Sequence, residues 1–250
     1  QKFPFTMMIT STCSLVISLT LLIKPTTALL PGLHPRHTNI MSTRLRPLSA
    51  LKIYGNQGTR SPLVNWYLEE LGVEYENINA ANVDRTSAAY PNPFGSIPAC
   101  TDEGVELFES GAILMFLADK YGGLDTPEKR AAVGKWVMWA NASLDPICFV
   151  ENDRGQVLDT KLKGSPKAIA TLDSLLGQGP FLLGEEFSVA DVAVASYILY
   201  TLLFFPQVRL LPKWPHLAKY AAACAQRPAY VKAFGADTAA KLAEIALRKN

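Results

Sequence analysis

Three hydroxyls and one guanidinium crowd a short stretch between an apolar strand pattern and a helix pattern: Tyr54, Thr59, Arg60 and Ser61. Each hydroxyl can donate one hydrogen bond to an anion and so favour its charged form. Arg60 can add positive field at the same point. No Cys lies between Gly55 and Pro62, so a thiol nucleophile at this junction is excluded. Further along, Ile97–Pro98 opens a strand with the one kind of peptide bond that reaches cis readily. Ser110 then falls at a predicted helix N-terminus, where free N–H groups and the helix dipole favour an anion.

The elements that must position these groups follow from periodicity and punctuation. Leu51 to Gly55 alternates as a short strand. Ser61 and Pro62 read as N-cap and first helical residue, and Gly72 as the stop. Val73 to Ile78 reads as a second strand, making a βαβ unit with a parallel pair. After Asn92-Pro93-Phe94-Gly95-Ser96-Ile97-Pro98, the turn Asp102-Glu103-Gly104 predicts a hairpin between Ala99–Thr101 and Val105–Phe108. A helix through Ile113, Phe116, Leu117 and Tyr121 completes a β-α-β, β-β-α order, which is thioredoxin-like.

Beyond the linker Gly122 to Asp125, only helices are read. One starts at the Thr126-Pro127-Glu128 cap and runs toward Pro146; another covers about Pro166 to Leu176. Ser188-Val189-Ala190-Asp191 is a capping box, with Phe187 placed as its hydrophobic staple. The helix it opens is nearly apolar all round through Leu203, which predicts the buried centre of an all-helical domain. His216 to Gln226, Ala229 to Phe234 and Thr238 to Arg248 follow as further helices.

The chain has 250 residues, 49% of them apolar, enough for two modest domains at roughly 100–200 residues each. The formal charge of +2 comes from residues 1–50, which hold five Lys/Arg and no acid. From Leu51 onward 19 basic residues face 22 acidic ones, a balance that argues against nucleic-acid binding. Cys13, Cys100, Cys148 and Cys224 include no CxxC pair; they suit neither a disulfide framework nor a metal site, and fit a reducing compartment. Residues 1–50 read as a targeting presequence. An apolar segment ends near Ala28, and an acid-free stretch with Arg36, Arg44 and Arg46 follows. That pattern predicts a plastid stroma address; the alternative is a tail on a cytoplasmic enzyme. No membrane association is expected of the mature form.

From Leu51 to Gly235 the chain resembles the glutathione S-transferases. The resemblance rests on Asn92 to Pro98, Phe108-Glu109-Ser110-Gly111-Ala112-Ile113, and Phe181 to Asp191 with its Leu-Leu-Gly run. The stretch from Tyr54 to Gly72 looks closest to the chi-type transferases of cyanobacteria. The resemblance implies a thioredoxin-like glutathione-binding domain over residues 51–122 and an all-helical C-terminal domain over residues 126–250. It implies a cis Pro98 and a backbone edge at Ile97 that pairs with the cysteinyl unit of glutathione. It also implies a γ-glutamyl carboxylate at Ser110, with Glu109 or its neighbours facing the ammonium. The thiolate would be stabilised by Thr59 or Tyr54 together with Arg60, and would attack a small electrophile. Trp136, Trp139 and Asn141 are candidate linings of the electrophile pocket, and a homodimer with no metal is implied. Two rivals stand beside this reading: a non-catalytic module of the same fold, and a thiol reductase or peroxidase.

Overall fold

The computed structural model describes residues 51–57 and 59–249. The presequence read over residues 1–50, with Cys13, lies outside the described residues. The N-terminal half is a four-stranded sheet in the order β2-β1-β3-β4. β1 (Lys52–Gly55) runs parallel to β2 (Glu76–Asn79) and antiparallel to β3 (Ala99–Asp102), which pairs with β4 (Val105–Phe108). Ile53, Ala99 and Cys100 are buried on the two central strands. The β3–β4 turn places Glu103 and Gly104 at φ of 48° and 87°, the two consecutive positive values of a tight hairpin turn.

Two local expectations need correction. β2 begins at Glu76, not Val73, because the end of α1 (Pro62–Leu71) consumes the intervening residues. Gly72 sits in the left-handed region at φ 64°, and the N–H of Val73 donates back to the Leu68 carbonyl at 3.1 Å. Ser61 is not a capping side chain: its backbone is already helical, and it makes no cap hydrogen bond. It is buried against Gly55, where any Cβ would come within 2.6 Å of its own Cβ. Only glycine lets the strand end and the helix start approach this closely.

α2 (Ser110–Tyr121) leads to the helical half. Thr126 caps α3 (Pro127–Trp139) by accepting from the Lys129 N–H at 3.2 Å. A π-helical segment, Ala140–Leu144, then joins α3 to the short α4 (Asp145–Cys148). The sequence reading of helices alone fails here, because a small antiparallel pair follows, β5 (Val150–Glu151) and β6 (Val157–Asp159). Strands of two and three residues are too short for alternation to register. Their turn is held by Asn152, whose Oδ1 accepts from the N–H groups of Arg154 and Gln156 at 3.0 Å each.

α5 (Lys167–Leu176), α6 (Val189–Phe204), α7 (Pro215–Ala225), α8 (Pro228–Phe234) and α9 (Ala236–Leu247) complete the bundle. α6 is buried on every side from Val189 to Leu202. Its capping box is present, with Asp191 Oδ2 accepting from the Ser188 N–H at 2.9 Å. Asp191 Oδ1 also accepts from the Leu182 N–H at 2.9 Å and the Tyr220 hydroxyl at 3.1 Å. Phe187, read as a staple, stacks its ring near Trp66 and Phe181, at 5.7 and 5.4 Å. It thereby ties the entrance of α6 to α1. The two halves share one core, since α1 packs on α6 and α8 and α2 packs on α3 and α6. Among the described residues no helix is long and apolar enough to cross a membrane.

Asp191 is fully buried and answers donors from three segments, so it does more than end a helix. Asp191→Ala is expected to destabilise the protein by about 2–4 kcal/mol through donors left unpaired. The measurement is the urea midpoint at unchanged slope. A loss under about 1 kcal/mol would reduce Asp191 to a local cap.

Candidate functional site

A polar cavity of about 210 Å³ opens where the sheet half meets the helical half. One wall is the bend at Ile97–Pro98, whose peptide bond is cis. The loop before it is braced from inside. Buried Asn92 donates from Nδ2 to the Ser96 carbonyl and hydroxyl at 3.0 and 2.8 Å and accepts from the Phe94 N–H at 2.9 Å. The Tyr90 hydroxyl donates to the same Ser96 carbonyl at 3.1 Å. These bonds fix the course of the chain into Ile97.

The second wall is the start of α2, with Glu109 and Ser110. Ser110 is the first helical residue, and the N-cap residue Glu109 makes no side-chain capping bond, so the orphan N–H groups of the first turn remain open to a ligand. Glu109 holds φ at 67° and ψ at 119°. A non-glycine residue held there carries strain of order 1–3 kcal/mol, which accumulates where a side chain must be aimed.

The helical half supplies Asn141, Asp145 and Tyr197, and the loop after β1 supplies Arg60. Arg60 donates to Asp145 Oδ1 at 2.5 Å and lies 3.7 Å from a Glu151 carboxylate oxygen on β5. Its guanidinium stands 5.7 Å over the Phe149 ring. Burial alone would lower the Arg60 pKa, but the charge and hydrogen bond of Asp145 outweigh it, so the net direction is upward. Arg60 is therefore a fixed cation with its charge largely answered by acids. Burial pushes the Tyr197 phenol well above its ordinary range, and the Asp145 carboxylate adds to that. Tyr197 is consequently a neutral donor at any working pH.

Five of the seven residues proposed from sequence thus meet at one cavity: Arg60, Ile97, Pro98, Glu109 and Ser110. Tyr54 and Thr59 are not among its lining residues. Tyr54 is half-buried in β1 with its ring edge-on to Tyr90 at 5.6 Å, a supporting position behind the bend. The Thr59 hydroxyl donates to the Asn56 carbonyl at 2.7 Å, receives the Ser61 N–H at 3.1 Å and lies 2.9 Å from the Ser61 hydroxyl. Asn141, read from sequence as a lining of the electrophile pocket, instead lines this cavity beside Glu109 and Ser110, whereas Trp136 and Trp139 do not. They line a separate apolar cavity of about 520 Å³ between α3 and α5, with Leu172 and Leu175. Asp145 and Tyr197 escaped the sequence reading. Tyr197 lies inside a nearly apolar helix and reads as core, and Asp145 falls at the end of the helix read toward Pro146.

Acids, a cation and a helix N-terminus gathered on one cavity suit a zwitterionic ligand that carries both an ammonium and a carboxylate. The thiols have no part in this. Cys100, Cys148 and Cys224 are buried, and desolvation raises the first two to about 12 and Cys224 well above its ordinary value. Among the described residues no group of three or more His, Cys, Asp or Glu could hold a metal ion.

Comparison with known proteins places the chain in a family. Residues 49–119 match the glutathione S-transferase N-terminal domain, and residues 155–223 match the glutathione S-transferase C-terminal domain. Glutathione S-transferase GstB of Escherichia coli is 32% identical over 71% of this chain and 93% of its own length. Glutathione S-transferase 3 of Zea mays is 28% identical over 76% of this chain and 95% of its own. Among solved structures, the theta class glutathione S-transferase of the citrus canker pathogen Xanthomonas axonopodis pv. citri, with glutathione bound, superposes with a TM-score of 0.60. It is 28% identical and covers 75% of this chain and 98% of its own. Glutathione S-transferase-I bound with lactoylglutathione gives a TM-score of 0.61 at 29% identity, over 74% of this chain and 99% of its own. With both domain models matched in order and relatives aligned along nearly their whole length, the chain belongs to the glutathione S-transferase family and is a transferase enzyme.

Proposed function

We propose that this enzyme conjugates the thiolate of glutathione to small electrophilic carbon centres. The observation that carries the reading is the polar cavity in which Arg60, Ile97, Pro98, Glu109 and Ser110 converge. Glutathione would pair its cysteinyl backbone with the edge at Ile97 as an added strand. Its γ-glutamyl carboxylate would lie on the first turn of α2 at Ser110, and its ammonium toward Glu109 and Asp145. That solved relatives carry glutathione or a glutathione adduct supports the same ligand here.

The reaction needs a lowered thiol pKa and alignment more than it needs a base of its own. The thiol proton leaves to solvent, and the sulfur lone pair forms the new C–S bond. In substitution the leaving group departs with its bonding pair; in addition a solvent proton completes the product. Thr59 is the favoured thiolate donor, since its hydroxyl sits at the strand–helix junction beside Arg60 and can exchange its bond to the Asn56 carbonyl for one to sulfur by leaving its contacts with Ser61. Tyr54 is the weaker candidate, because its ring faces Tyr90.

We infer also that the enzyme works as a homodimer. Phe94 is 79% exposed, with its ring edge-on to Phe108 at 5.7 Å. The helical half of the same chain carries the apolar socket of Trp136, Trp139, Leu172 and Leu175. A protruding ring and an apolar socket on one chain are satisfied together by a two-fold operator.

Isothermal calorimetry with glutathione and turnover with an aryl halide test the activity. Heat of association and a chromogenic product are expected, with Ser110→Ala binding about ten-fold more weakly. Thr59→Ala should lower kcat/KM by about 10²-fold. Heat without turnover would leave the non-catalytic module; neither would end the enzyme reading. Mass-spectrometric mapping after iodoacetamide at pH 8 should find Cys100, Cys148 and Cys224 unmodified in the native protein and labelled in urea. Rapid native labelling at any of them would restore the thiol-reductase rival. In sedimentation velocity the wild type is expected at dimer mass and Phe94→Asp at monomer mass. A monomeric wild type would refute the pairing.

A further inference from the structure

Two residues lining the polar cavity from the helical half, Asn141 and Tyr197, are not used by the reaction as drawn. Tyr197 is 4% exposed on the mostly apolar α6, yet it lines the cavity and its hydroxyl donates to Asn141 Oδ1 at 3.1 Å. Ser110 bears on the same phenol through a side-chain hydrogen bond. Asn141 belongs to the π-helical segment Ala140–Leu144, not to α3 proper. A π-turn adds a residue to the local winding and re-aims the side chains that follow, and such turns concentrate at functional sites. Here it turns Asn141 toward the sheet half of the molecule.

With Oδ1 taken by the phenol, Nδ2 is the end of the amide left facing α2. It stands so close that a Cβ on Gly111 would come within 2.5 Å of it, and within 3.2 Å of Val137 Cγ1. Glycine at 111 is therefore what admits the amide to the first turn of α2. That turn already offers its orphan N–H groups. The Asn141 amide adds a donor from the other half of the molecule.

We propose that Asn141 is a carboxylate-binding residue for the γ-glutamyl group of glutathione, and that Tyr197 is a positioning residue that holds its amide with the nitrogen toward α2. The proposal rests on glutathione occupying this cavity. Without the phenol hydroxyl, Asn141 can rotate, and its oxygen can point at the carboxylate it should attract. Tyr197 thereby sets the preference for a ligand that carries an α-carboxylate at its γ-linked end.

The test compares glutathione with its analogue lacking the γ-glutamyl α-carboxylate, 4-aminobutyryl-cysteinylglycine, by calorimetry on the full chain. The wild type is expected to prefer glutathione. Tyr197→Phe should weaken glutathione about five- to ten-fold while leaving the analogue's Kd within two-fold, so the preference shrinks. Asn141→Ala should do the same, and the double variant should lose no more than the larger single loss, as coupled residues do. If Tyr197→Phe does not fold, Asn141→Ala reads the same link from its other end. Equal weakening of both ligands, or no weakening of either, overturns the proposal, because a purely structural role does not distinguish them. No binding of glutathione by the wild type would instead overturn the assigned function, and this inference with it.

Discussion

The buried carboxylate of Asp191 is the constraint on which the rest of the molecule is built. It accepts from the Leu182 N–H, the Ser188 N–H and hydroxyl and the Tyr220 hydroxyl. Desolvation by burial raises its pKa against the pull of those four donors, so the folded structure holds it at a cost that only their geometry offsets. In return it fixes the rotation and height of α6, whose apolar surface is otherwise featureless. A helix buried on every side could slide or turn against its neighbours with little change in apolar area. Three segments converging on one carboxylate remove that freedom. Tyr197 lies six residues further, about 9 Å along the axis, so the cavity wall inherits its position from the capping box.

The site depends equally on how the two halves are locked. Arg227, before α8, makes a two-pronged bond to Glu70 on α1 at 2.6 and 2.7 Å, and its guanidinium lies 3.7 Å over the Phe187 ring. Glu70 also accepts from the Trp66 indole N–H at 2.9 Å, and Trp66 packs edge-on to Tyr230 at 4.9 Å. Bidentate geometry with a half-buried arginine makes this more than a surface ion pair. Across the cavity mouth the Arg60–Asp145 pair spans the same junction. A ligand bound between Ile97–Pro98, Ser110 and Asn141 touches both halves, so its grip is only as rigid as these cross-links.

How much was legible in the sequence followed from how local the determining physics is. β1, the β3–β4 turn and the Ser188–Asp191 box were readable because a few adjacent residues decide them. The motif through Asn92 to Pro98 and the pair Glu109–Ser110 led to one common cavity, since the turns that aim them are set within their own segments. The failures were non-local. Ser61 had the right type for a cap, but its close contact with Gly55 turned it inward. β5 and β6 exist through pairing with each other and carry no pattern of their own. Tyr197 was hidden because one hydroxyl among several in a mostly apolar helix has no sequence signature; its bond to the Asn141 amide gives it a role. Trp136 and Trp139 lie along the same helix as the approach to the site, and the π-turn after Trp139 is what separates their face from that of Asn141.

That separation also decides which of the two cavities can do chemistry. The one between α3 and α5 is the larger of the two, with a mostly apolar wall of tryptophan rings and leucines and with Lys135, Lys167 and Thr171 as its polar lining residues. Bringing a peptide thiol to its anion requires fixed donors aimed at sites that are charged when bound, and the smaller cavity gathers a cis bend, a helix N-terminus, an arginine and two acids for that purpose. A strained Glu109, a cation answered by Asp145, and a phenol kept neutral by burial are each unfavourable in isolation. They coexist because each restricts the next: Tyr197 orients Asn141, Asn141 abuts Gly111, and the first turn of α2 is thereby held open at Ser110 for the ligand.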